Sequence, residues 1–171
     1  MRIVEHLGKI SWSLADKLVM IIFGFVTLKQ ISLMASAEYG LFGILIAVHS
    51  WIFLLGDSLA LQNIIQFGTH VEQRGKVNLV ALFYQSMITL GPSLLIFLFK
   101  DYIAYGLNNT GWLTIGASLP LLTLLNIPRT FSLKLAYRDN DMRKVFFINL
   151  IYFGIISVQT LIIASKSDAM Y

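Results

Sequence analysis

No cysteine occurs in this chain of 171 residues, which excludes disulfides, Cys-zinc sites and thiol nucleophiles together. Charge is scarce as well. Lys, Arg, Asp and Glu make up 13% of the chain, against roughly 25% in a soluble domain. With nine carboxylates and three histidines, no HExxH, no Gly-rich phosphate loop and no Ser/His/Asp arrangement of credible spacing can be found. The sequence therefore predicts no catalytic residue, no metal ligand set and no cofactor, and the chain is not read as an enzyme. Linkers and low-complexity tracts are also missing, so there is no sign of a second domain. Basic residues exceed acidic ones by 13 to 9, a net charge of +4. They are scattered singly between apolar runs, which is the pattern of membrane-protein loops and speaks against nucleic acid as a partner.

What the chain has instead is apolar length. It is 57% hydrophobic, with a mean hydropathy of +0.74. Five apolar segments run from Ile10 to Leu33, Tyr39 to Phe67, Val77 to Phe99, Trp112 to Leu135 and Val145 to Ser165. The fold expected is all-α, a polytopic transmembrane bundle of five spans forming a single unit over residues 1–171, with the lipid bilayer as its surroundings. The connections are short: Met34–Glu38, Gly68–Lys76, Lys100–Gly111 and Ala136–Lys144. Short loops predict that sequential helices pack as antiparallel neighbours. The second segment is central. Tyr39 to Gly56 carries no formal charge and would span about 27 Å as a helix, close to a bilayer's hydrocarbon thickness. It then continues through Asp57, Ser58, Gln62, Asn63 and Gln66. Polar groups at that depth must face protein or water, because lipid offers them no partner.

Orientation follows from Lys and Arg. With the N-terminus inside, Arg2, Lys9, Arg74, Lys76, Lys134, Arg138, Arg143 and Lys144 are cytoplasmic, and Lys29, Lys100 and Lys166 lie opposite. That bias predicts a multi-pass membrane protein with a cytoplasmic N-terminus and Tyr171 outside. Arg2, Lys9, the Leu18–Leu28 run and Ala35-Ser36-Ala37 imitate a cleaved signal peptide. Asp16 and Lys17 crowd its apolar region and Lys29 interrupts the approach to the cleavage site, so the segment is expected to remain as the first span.

Polar residues within the spans are the candidate site. Ser13, Asp16, Lys17, Met20, Gly24 and Thr27 share one face of the first helix. Lys17 lies about 10 Å in from Ile10, and Asp57 about 15 Å in from Phe67 on the same side. A Lys17–Asp57 pair is geometrically reasonable. Two readings follow: Asp16, Lys17 and Asp57 line a cavity for a polar, anionic substrate, or they neutralise one another and fix helix packing. Lys29 and Arg129, near span ends, are read as snorkelling. His49 shares a stripe with Gly56, Ala60 and Asn63 and has no carboxylate at its own depth, which favours a neutral, hydrogen-bonded imidazole. Gly43, Ser50 and Asp57 form a row suited to close helix contact. Gly91-Pro92, Pro120 and Pro128 should kink or loosen the third and fourth helices. Asn108-Asn109-Thr110 matches a glycosylation acceptor.

At Ala37-Glu38-Tyr39-Gly40-Leu41-Phe42 the sequence resembles the O-antigen-type polysaccharide-export flippases of the multidrug/oligosaccharidyl-lipid/polysaccharide superfamily. Asp57, Ala60 and Gln66 fit the polar end of that family's second helix. Asp141-Met142-Arg143-Lys144, leading into Ile148-Asn149-Leu150-Ile151, fits the entry to its fifth. Ser36, Leu59 and Ser32 depart from the residues usual there. The resemblance implies a transporter that moves a lipid-linked oligosaccharide across the inner membrane by alternating access, in a cationic cavity where Lys17 meets the carrier's pyrophosphate. It covers only the N-terminal part of such a transporter, so an incomplete or truncated chain, lacking a C-terminal half or completed as a homo-oligomer, is the form expected. The candidate cavity lining is Lys17, Asp16, Asp57, His49 and Asn63. The competing expectation is a small integral-membrane interaction subunit without transport activity of its own.

Overall fold

A backbone surrounded by hydrocarbon has no water to bond to, so a chain this apolar closes its hydrogen bonds within helices. The computed structural model describes residues 2–168, which form helices with no strand among them. In chain order these are α1 (Arg2–Ser32), α2 (Ser36–Gly56), a π turn (Asp57–Leu61), α3 (Gln62–Phe67), a 3-10 turn (Val71–Gln73), α4 (Arg74–Leu98), α5 (Lys100–Gly106), α6 (Gly111–Arg138) and α7 (Met142–Asp168). Five helical stretches are long and apolar enough to cross a membrane: Leu7–Ser32, Glu38–Phe67, Val71–Leu98, Gly111–Arg138 and Met142–Gln159. The protein is an all-α, membrane-compatible helical protein.

The helices extend beyond the apolar segments at most ends because polar residues there still close helical bonds. The connection expected over Lys100–Gly111 is largely the short helix α5, whose Ala104 is buried. Asn108 and Asn140 take left-handed backbone angles, φ 48° and 51°, a conformation Asn tolerates better than most residues. The Asn109 side chain accepts a bond from the Gly111 N–H at 2.9 Å, so Asn108-Asn109-Thr110 turns the chain into α6. Pro92 lies inside α4, and Pro120 and Pro128 inside α6, and both helices run on through them. Tyr171, expected outside, falls outside the described residues, and Arg2 and Lys166 fall outside those whose side chains are described.

Contacts divide the chain into two compact units, residues 1–35 with 139–171, and residues 36–138. In the first, α1 and α7 run parallel. Trp12 meets Phe146 with ring centroids 5.2 Å apart, Asp16 meets Asn149, and Phe23 stacks on Phe153 at 4.4 Å, in that order along both helices. This pairs the first and fifth spans, a partnership that loop lengths alone do not suggest. At the start of α7, Asp141 Oδ1 accepts the Lys144 backbone N–H at 3.1 Å.

In the second unit the sequential spans are antiparallel neighbours, as short loops predict. Bonds between α4 and α6 descend one helix as they climb the other: Arg138 to Asn78, Gln85 to Thr130, Ser93 with Thr123. The α2–α3 span lies parallel to α6, with Leu41 beside Gly111 and Gly68 beside Arg138. Along it Ile52, Gly56, Ala60, Ile64 and Gly68 are all buried, one every fourth residue. An α-helix would rotate such a series by about 160° over its length. The π turn takes up one extra residue and cuts that drift to about 60°. The turn therefore keeps one face of a long span against α4 and α6.

Candidate functional site

Each unit carries polar groups inside its apolar frame, and the two sets differ in kind. In the α1–α7 pair, Asp16 is 3% exposed and Asn149 1% exposed. Asn149 Nδ2 donates to Asp16 Oδ1 at 2.8 Å, which gives the carboxylate a donor where lipid would give none. Lys17, the next residue, projects away and is exposed. Successive helical residues point about 100° apart, so burying Asp16 turns Lys17 outward. Among the described residues no ion pair or hydrogen bond holds Lys17.

In the second unit Asp57 opens the π turn. The sequence pairs it with Lys17; the partner within its own unit is Lys134, whose Nζ lies 2.8 Å from Asp57 Oδ1. Gln62 Nε2 adds a longer bond of 3.3 Å to Oδ2. The Lys134 side chain is 12% exposed and that of Asp57 40%, so the cation is the deeper member of the pair. His49 is half-buried, with its ring 4.6 Å from Phe53 one turn along. Its Nε2 is buried without a hydrogen-bond partner. Asn63 is exposed, and its Nδ2 donates to the Leu59 carbonyl at 3.3 Å. The expected stripe of His49, Gly56, Ala60 and Asn63 is thus split, with Gly56 and Ala60 buried and Asn63 turned out beyond the π turn.

A buried polar seam, absent from the sequence expectations, joins α4 and α6. Gln85, Thr89, Ser93 and Thr123 are fully buried. Gln85 Nε2 donates to Thr130 Oγ1 at 2.5 Å, and the Ser93 and Thr123 hydroxyls lie 2.8 Å apart. Thr89 and Ser93 each donate to the carbonyl one turn back, at 2.8 and 2.7 Å. The spacing of four between Gln85, Thr89 and Ser93 in an otherwise apolar helix was the available signal. Such interhelical bonds fix register in a bilayer, where hydrophobicity does not choose between helix faces. Against this seam Gly56 brings α2 close: a methyl group there would sit 2.7 Å from Thr89 Cγ2.

No cluster of three or more His, Asp or Glu residues placed to hold a metal occurs among the described residues. Comparison with protein-family models, with curated proteins and with solved structures found no match. Among the described residues of the spans, Lys134 meets Asp57, Arg129 Nη1 donates to Asn126 Oδ1 at 3.5 Å and Arg138 bonds Asn78, whereas Lys17 has no such partner and lies deeper in its span than the likewise exposed Lys29. An unengaged ammonium can meet an anion as a compact point charge.

Proposed function

We propose that this chain is a membrane transport protein of the polysaccharide-export flippase type, acting on a lipid-linked oligosaccharide in the inner membrane with its N-terminus cytoplasmic. The observation that carries the reading is Lys17, exposed within an apolar span with no countercharge among the described residues. Ionisable groups in such segments are costly and mark substrate pathways. The carboxylate beside it, Asp16, is committed to Asn149, and this leaves the lysine free to meet the phosphate of the carrier lipid. The resemblance of the Glu38–Phe42 stretch at the start of α2, and of the Asp57–Gln66 stretch, to that family points the same way.

The test is equilibrium binding in detergent of a polyprenyl diphosphate against the matching polyprenol. The unsubstituted chain is expected to prefer the diphosphate. Lys17→Gln should cut that preference about tenfold, the factor equivalent to 1.4 kcal/mol, while Lys17→Arg keeps most of it. Equal binding of the two lipids, or a preference untouched by Lys17→Gln, would overturn the assignment.

A further inference from the structure

The transport reading gives the side chains of the Asp141-Met142-Arg143-Lys144 entry to α7 no task, and its two cations differ. Lys144 Nζ lies 3.1 Å from Asp141 Oδ2, so its charge is met locally. Arg143 is exposed, and among the described residues its guanidinium has no ion pair. It lies instead over the rings of Trp12 and Phe147, 5.8 Å from each centroid. Trp12 is itself packed on Phe146 and Phe147, at 5.2 and 5.9 Å. One ring from each helix thus holds the cation in place. A cation–π contact at this distance spends no hydrogen bond, so the guanidinium N–H donors remain for an anion, which they can grip as a two-pronged fork.

The place of this cluster says what the anion is. The apolar stretch Met142–Gln159 of α7 begins one residue before Arg143, a position where hydrocarbon would give way to headgroups. Trp is favoured at that level. On the hydrocarbon side of Trp12, Leu14, Leu18 and Ile21 of α1 are 61%, 60% and 56% exposed, an apolar surface suited to acyl chains. A soluble anion would find no reason to settle beside them, whereas a phospholipid satisfies both halves of the surface at once. The geometry points to Arg143 as the binding residue for the phosphate of an anionic phospholipid, with Trp12 and Phe147 fixing the guanidinium at headgroup depth. This inference is independent of the transport reading.

Trp12 is the reporter. The chain has three Trp, and with Trp51→Phe and Trp112→Phe only Trp12 fluoresces. The full chain is reconstituted in phosphatidylcholine bilayers containing a small, equal fraction of either brominated phosphatidylglycerol or brominated phosphatidylcholine, and quenching gives the relative association of each lipid. Phosphatidylglycerol is expected to be favoured about fivefold, the factor one basic residue contributes at an anionic surface. Arg143→Gln should bring the ratio to about one, Arg143→Lys should keep part of it, and Lys144→Gln should leave it unchanged. Equal quenching in the unsubstituted protein, a preference that survives both Arg143 variants, or one lost in Lys144→Gln would overturn the assignment. Loss of the preference on adding inorganic phosphate would assign the site to free phosphate and equally overturn it.

Discussion

A carboxylate inside an apolar helix pair persists only if a donor reaches it. Asn149 is that donor for Asp16, so the two side chains should be energetically coupled. A double-mutant cycle on thermal unfolding in detergent, with Asp16→Ala, Asn149→Ala and both together, is expected to give a coupling of about 1 kcal/mol, within the range of interhelical bonds in membrane proteins. Strict additivity would show that the contact contributes nothing. The sequence marks Asp16, Lys17 and Asp57 as polar groups within apolar segments, and each lies in one of the long apolar helical stretches. It did not yield their partners, because a partner depends on which helices are neighbours and in which register. Asn149 lies 133 residues from Asp16, and no local pattern connects them. Lys134 was legible only as one more basic residue near a span end, although it is the charge that meets Asp57.

Among the elements, the long span through Gly56 is held by close approach. A Cβ at Gly56 would meet Thr89 Cγ2 at 2.7 Å, and Thr89 is fully buried with nowhere to move. Gly56→Ala should cost about 1–3 kcal/mol by overpacking. Adding Thr89→Ser removes the offending methyl and keeps the hydroxyl bonded to the Gln85 carbonyl, so the double variant should recover much of the loss in a detergent melt. No recovery would place the strain elsewhere.

The start of α7 should respond to pH. The Asp141 carboxyl is held below its ordinary value of 3.8, chiefly by the bond from the Lys144 backbone N–H and next by the Lys144 side chain. A depressed value in the folded state means that the stabilisation is complete above the ordinary value and is lost as pH falls through the folded one. Protection factors of the Lys144 and Val145 amides, taken against intrinsic exchange at each pH, should therefore fall in acid below that point, and Asp141→Ala should show low protection at every pH. The existence of these spans was plain from apolar length. The π turn was not, since a constant spacing of four is ordinary to the eye and only the helix's 3.6-residue period shows that it needs an extra residue.

At the scale of the whole molecule, charge is unequal at the two ends of each unit. Lys9, Arg143 and Lys144 lie at the end of the first unit where α7 begins, and Lys29 lies in the last turn of α1. In the second unit Arg74, Lys76, Lys134 and Arg138 gather at one end, with Lys100 at the other. With no native cysteine, orientation can be read by labelling in intact cells. Tyr105→Cys, at a position 89% exposed, should react with an impermeant thiol reagent, and Val71→Cys, 75% exposed, should not. The reverse pattern would invert the topology.

The parallel pairing of α1 with α7 also has a consequence in time. Asp16 leaves the ribosome 133 residues before Asn149. At about 5–20 residues per second, the carboxylate waits about 7 to 27 s for its donor. During that interval the hairpins of residues 36–138 can form bonds among themselves, whereas α1 holds a buried-type acid with no mate. α1 is thus made before the hairpins of residues 36–138 and completed after them, and over that interval it is a segment that a chaperone or an insertion factor would shelter.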